Sequence, residues 1–130
     1  MINTPKKVVA VLSDLMFTVK IQEAAKRAGM EVSFAKSRED ALAQSRLNPA
    51  VMILDLNGAT VDALDLISAL KGDTETSQID LIGYVSHVQA DLKQAAQEKG
   101  CNMVIARSAF SQNLPTILRR YSEAMQTAKA

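Results

Sequence analysis

Val51-Met52-Ile53-Leu54-Asp55-Leu56-Asn57-Gly58 is the stretch that decides how this chain reads. Four apolar side chains stand in a row with no polar residue between them. A strand with one wet face alternates apolar and polar residues. A short solid run instead marks a strand covered on both faces, as in parallel sheets. The run stops on a carboxylate, Asp55, and the chain turns there with Asn57 as a second polar group.

Working outward, four more short apolar runs flank this one. They are Val8-Val9-Ala10-Val11-Leu12, Val32-Ser33-Phe34-Ala35, Leu81-Ile82-Gly83-Tyr84-Val85 and Met103-Val104-Ile105-Ala106. The segments between them carry helical spacing. Phe17, Ile21, Ala24, Ala25 and Ala28 share one face and stop at Gly29. Ser37 and Asp40 form a capping pattern for a short helix through Leu47, closed by Asn48-Pro49. Val61, Leu64, Ile67 and Leu70 recur before Lys71-Gly72, and Val88, Leu92, Ala95 and Ala96 before Gly100. Leu114, Ile117, Leu118, Tyr121 and Met125 form the last stripe, with Pro115 expected in that helix's first turn and fraying expected after about Ser122. Strands alternating with helices in this way predict an α/β domain. Its doubly wound five-stranded parallel sheet has order 2-1-3-4-5, with helices on both faces. One domain is expected over residues 1–130, with its core at about 7–121 and residues 1–5 as a polar tail.

Composition narrows the partners. The 130 residues carry 15 Lys and Arg against 14 Asp and Glu, a formal charge of +1, which is not the basic footprint of a nucleic-acid surface. Aromatic residues make up only 4%, with no Trp, so a base-stacking platform has little to be built from. No apolar run approaches the roughly 20 residues that cross a bilayer, and no membrane partner is expected. The single cysteine, Cys101, cannot close an internal disulfide and reads as a small core residue of a cytoplasmic protein. Met16, Met30, Met52, Met103 and Met125 read as core or near-core filler. Arg119-Arg120 reads as a solvated face, and residues 71–76 as a polar loop leading into the fourth strand.

In doubly wound sheets, ligands sit beyond the carboxyl ends of the strands. The polar residues directly after the apolar runs are Ser13 and Asp14, Asp55 and Asn57, Ser86 and His87, and Arg107 with Ser108. Two carboxylates, several small polar groups and one guanidinium therefore converge on one end of the sheet. A lone histidine, His87, excludes a multi-histidine metal centre and reads as a solvent-facing loop residue. A flavin site is disfavoured, because no Ser/Thr-Gly-rich loop follows the first strand. Asp55-Leu56-Asn57 superficially resembles a haloacid-dehalogenase motif, but Asn57 replaces the second acid that chemistry needs.

The stretch 51–58, the stretch Gly100-Cys101-Asn102-Met103-Val104-Ile105-Ala106-Arg107-Ser108-Ala109-Phe110 and the fivefold alternation resemble the receiver domain of bacterial two-component response regulators, the CheY-like fold. The resemblance spans about Lys7 to Tyr121. It implies that Asp55 accepts a phosphoryl group and that Mg²⁺ is held by Asp14, Asp55 and the backbone carbonyl of Asn57. It also implies that Ser86 is the switch hydroxyl and that Arg107 stands where the family has a lysine. The implied partners are a histidine kinase or phosphotransfer protein and a downstream protein target, with no enzymatic role beyond self-phosphorylation and a homodimer left open. At this length no output domain is expected beside the receiver, so the signal would leave by docking. Several positions depart from the family. Ser13-Asp14, or Leu12-Ser13 if the first helix is aligned on Gly29 without a gap, replaces two adjacent acids, Ser108 replaces a proline, and Val104 replaces the aromatic that moves with the switch. Those departures carry a second reading, a phosphorylation-independent pseudo-receiver in which Asp14 and Arg107 pair directly in place of the metal.

Overall fold

The computed structural model describes residues 6–58, 61–86 and 89–127. Strand β3 (Val51–Asp55) lies at the centre of a five-stranded parallel sheet. β1 (Lys7–Val11) and β4 (Asp80–Val85) flank it, and β2 (Glu31–Ala35) and β5 (Met103–Ala106) form the edges, giving the order β2-β1-β3-β4-β5. The register pairs Val11 with Leu54 and Asp55 with Tyr84. Five helices complete the alternation: α1 (Leu15–Arg27), α2 (Arg38–Ser45), α3 (Ala63–Gly72), α4 (Ala90–Glu98) and α5 (Arg107–Thr127). The doubly wound α/β fold is therefore the one the sequence pattern predicts.

The solid runs are apolar on both faces because both faces are covered. Val9, Val11, Met52, Leu54, Leu81 and Val85 pack with Leu66, Ile67 and Leu70 of α3 and Ala96 of α4. The alternate residues Val8, Ala10, Val51, Ile53, Ile82 and Tyr84 pack with Phe17 and Ile21 of α1 and with Phe110, Leu114 and Leu118 of α5. Each large side chain removed from water contributes about 1.5–3 kcal/mol. Gly83 breaks the run because the side chain of Leu56 lies across it: a Cβ there would stand 2.9 Å from three Leu56 carbons. Leu56 donates its N–H to the carbonyl of Tyr84 at 3.0 Å, so the residue after Asp55 is fixed to β4 through both backbone and side chain.

Four expectations need correction. α5 starts at Arg107, directly after β5, and runs to Thr127, so Pro115 sits more than two turns inside it rather than in its first turn. Pro115 is exposed, while Phe110, Leu114, Ile117 and Leu118 are buried. Burial of that stripe holds the helix through the missing N–H. α2 ends at Ser45, short of Leu47, with Asn48 at φ 59 closing the turn. Residues 71–76 are not merely a polar loop: Lys71 and Gly72 belong to α3, and buried Thr76 donates its hydroxyl to the carbonyl of Leu70 at 2.6 Å. Met16 is exposed, because it lies in the first turn of α1 off the face carrying Phe17 and Ile21.

Cys101 is buried, and burial pushes its thiol pKa up. His87 and Val88 lie outside the described residues, as does the side chain of Met125. Among the described residues no helix is long and apolar enough to cross a membrane.

Candidate functional site

Asp55 is the last residue of β3, half-buried at the carboxyl end of the sheet. Its Oδ1 accepts the backbone N–H of Asn57 at 2.9 Å. Burial raises its pKa above the ordinary 3.8; the Asn57 N–H and the positive charge of Arg107 work against that rise, and the Asp14 carboxylate adds to it.

Asp14, at the start of α1, does two jobs. Its Oδ1 accepts the N–H groups of Met16 at 2.9 Å and Phe17 at 3.3 Å, capping the helix. Its Oδ2 forms an ion pair with the guanidinium of Arg107, the first residue of α5. The same guanidinium lies 4.6 Å above the centre of the Phe17 ring. Phe17 meets Tyr84 edge-on at 4.9 Å, and Tyr84 stacks on Phe110 at 5.3 Å. Arg107 is thus held from one side by a carboxylate and from below by an aromatic cluster.

Asn57 ties two loops together through its side chain. Its Oδ1 accepts the Ser86 N–H at 2.7 Å and the Ser86 hydroxyl at 3.2 Å, and its Nδ2 donates to Gln89 Oε1 at 2.7 Å. The Ser86 hydroxyl is therefore engaged by Asn57 in this arrangement. Ser13 and Ser108 are exposed, and Val104 is buried in the core on the α3 and α4 side.

The fold brings Asp14, Asp55, Asn57, Ser86 and Arg107 to one end of the sheet, as the strand-end residues predict. What sequence reasoning missed is their wiring: the side chain of Asn57 as a clamp, the capping role of Asp14, and the trio Phe17, Tyr84 and Phe110. A signal for the trio was present. Each of the three aromatics lies two or three positions from Asp14, Ser86 or Arg107.

No family model and no curated protein sequence matches the chain. Solved structures do. The chemotaxis response regulator CheY4 of Vibrio cholerae is 20% identical with a TM-score of 0.78, the match covering 91% of this chain and 99% of that one. The chain has the CheY-like receiver fold. The phosphorylated cyanobacterial phytochrome response regulator RcpA matches at 23% identity and TM-score 0.76, over 92% of this chain and 93% of that one. The Mn²⁺-bound form of response regulator Rcp1 matches at 18% and 0.74, over 88% and 90%. Asp55 ends the central strand, Ser86 follows the fourth, and Arg107 follows the fifth.

Two carboxylates beside a backbone carbonyl are the donors that a divalent cation takes together with phosphate oxygens and water. Asp14, Asp55 and Asn57 lie at the carboxyl end of the sheet and carry groups of these types. In the arrangement described, the Arg107 guanidinium neutralises Asp14. Among the described residues no group of three or more His, Cys, Asp or Glu side chains is gathered for a metal.

Proposed function

We propose that this protein is a receiver-type signalling module of a phosphorelay, with Asp55 as the phospho-acceptor. The observation that carries the reading is the position of Asp55: a half-buried carboxylate ending the central strand of a receiver fold, one oxygen fixed by the Asn57 N–H. With Oδ1 fixed, Oδ2 is the attacking atom. It forms a bond to phosphorus while the bond from phosphorus to the donor, a phosphohistidine of a kinase or phosphotransfer protein, breaks and the imidazole leaves with the electron pair and takes up a proton. Asp14, Asp55 and the Asn57 carbonyl would hold Mg²⁺, which supplies charge neutralisation of the phosphoryl oxygens. Arg107 supplies a fixed cation beside the same carboxylates, and Ser86 supplies a hydroxyl that leaves Asn57 to meet the new group. The protein is not otherwise an enzyme; it acts in the cytoplasm and passes its state to another protein by docking.

The ion pair between Asp14 and Arg107 favours a second reading, a docking module that works without phosphorylation. A guanidinium already sits where the charge of a metal would be needed, and it locks one arrangement of the site. Incubation with acetyl phosphate and Mg²⁺, read by intact mass, separates the two. One added phosphate on the wild type and none on Asp55→Asn supports the first. An unmodified wild type, under conditions that label an ordinary receiver, overturns it and leaves the second.

A further inference from the structure

Between the first turns of α1 and α5 lies a cavity of about 360 Å³. Its apolar wall is Met16 and Phe17, its cations are Lys20 and Arg107, and the hydroxyls of Ser86, Ser108 and Ser111 complete it. Neither Asp14 nor Asp55 lines it. Lys20 crosses from α1 and donates from Nζ to Ser111 Oγ on α5 at 2.8 Å. An ammonium has three N–H donors and a guanidinium five, so both cations keep donors beyond Ser111 and Asp14. A second cavity of about 200 Å³ continues along the same groove, sharing Lys20 and Ser111 and adding Arg27 and Glu23. The two cavities together are lined by three cations and one acid.

Hydroxyls and cations converging from two helices suit a tetrahedral oxyanion, which accepts several hydrogen bonds from different directions. A bare ion would leave the exposed Met16 side chain unused, and the volume falls within the range of small-molecule pockets. We propose that this cavity binds a small phosphate monoester, its oxyanion held by Lys20, Ser108 and Ser111 and its organic body against the exposed Met16 side chain. The cavity shares Ser86 and Arg107 with the site around Asp55 but takes its anion on Lys20, Ser108 and Ser111, and so goes beyond the phosphorelay reading. A ligand seated there would bridge α1 and α5 beside Arg107, and so bias the state of the ion pair.

Titration of ¹⁵N-labelled full-length protein with phenyl phosphate, followed by amide chemical shifts, tests this. Saturable shifts at Lys20, Ser108 and Ser111, with inorganic phosphate weaker and benzyl alcohol inert, are expected. Lys20→Gln and Ser111→Ala should each weaken binding by about tenfold, while Asp55→Asn binds as the wild type does. Lys20→Gln should still be labelled by acetyl phosphate, so loss of the cavity and loss of the Asp55 reading are distinguishable. The proposal is overturned by no saturable response up to about 10 mM, weaker than ordinary millimolar binding. It also fails if Lys20→Gln and Ser111→Ala, folded by the same spectra, bind as tightly as wild type, or if Asp55→Asn alone abolishes binding.

Discussion

Arg107 and Asp14, 93 residues apart in sequence, form an ion pair that joins the start of α5 to the start of α1 across the carboxyl end of the sheet. The two partners do not contribute equally. Asp14 also caps α1 with its other oxygen, whereas Arg107 adds a cation–π contact with Phe17.

Asp14→Ala should therefore destabilise the fold more than Arg107→Ala. A lost helix cap costs about 1 kcal/mol, and a part-exposed ion pair with its hydrogen bond about 1 kcal/mol more. Urea denaturation of both single variants and the double variant checks this. The expected result is about 2 kcal/mol for Asp14→Ala, about 1–1.5 for Arg107→Ala, and less than their sum for the pair. Equal costs for the two singles would contradict the dual role of Asp14.

Asp55 gives a prediction with a pH signature. Its pKa is raised in the folded state, mainly by burial, so the folded protein holds that proton more tightly than the unfolded chain does. The resulting stability is fully present below the ordinary value of 3.8 and is lost as pH rises through the folded value. Above that folded value the ionised carboxylate is a burden on the fold. Asp55→Asn keeps an oxygen for the Asn57 N–H, so it should be more stable than wild type at neutral pH, and the gain should vanish toward about pH 3–4. Denaturant midpoints measured across that range decide it; a gain independent of pH would point to a different cause.

Tyr84 is almost fully buried, and among the described residues its hydroxyl has no hydrogen-bond partner. Burial, with the nearby Asp55 carboxylate second, pushes its pKa well above the ordinary tyrosine range. The ring is what the site uses, between Phe17 and Phe110. Tyr84→Phe should be neutral or stabilising by up to about 1 kcal/mol, since a buried polar group without a partner is removed. Tyr84→Ala should cost about 3–5 kcal/mol. Thermal unfolding of the two variants distinguishes a ring requirement from a hydroxyl requirement.

The clamp made by Asn57 predicts a local rather than a global effect. Asn57→Ala removes the acceptor of the Ser86 N–H and the donor to Gln89. Amide exchange at Ser86 should speed up by roughly tenfold, equivalent to about 1.4 kcal/mol of local opening. Exchange at Ile53 and Ile82 in the strand interiors should barely change. Uniform acceleration across the sheet would show that Asn57 supports the whole fold instead.

The fold was legible because its signal is periodic. Solid runs such as residues 51–54 mark strands covered on both faces, and residues 17, 21, 24 and 25 mark a buried helical stripe. The strand-end rule then brought Asp14, Asp55, Ser86 and Arg107 together without any knowledge of contacts. The wiring was not legible, because it depends on rotamers and on groups that have several options. Asp14 could cap a helix, bind a cation or pair with arginine; the sequence offered its pairing with Arg107 as one of two readings, and three-dimensional placement shows that it pairs and also caps. Pro115 misled because a buried stripe outweighs one lost backbone hydrogen bond. Met16 misled because residue type suggested burial where helical phase puts it outside.

Gly83 offers the sharpest structural test, since its requirement is purely steric. β4 must let Leu56 lie flat across it, and Leu56 in turn fixes the chain that follows Asp55. A methyl group at Gly83 would meet three carbons of Leu56 at 2.9 Å. Gly83→Ala should therefore cost about 1–3 kcal/mol, as overpacking of a well-filled core does. Leu56→Ala alone should cost about 2–5 kcal/mol through the space it leaves. In the double variant the new methyl occupies part of that space, so the combined cost should fall below the sum of the singles by about 1 kcal/mol or more. Strict additivity in urea denaturation would mean that the two residues do not share this contact. The chain after Asp55 would then be held by the Leu56 N–H to Tyr84, by Asn57 and by the Gly58 N–H to the Asp55 carbonyl rather than by this contact.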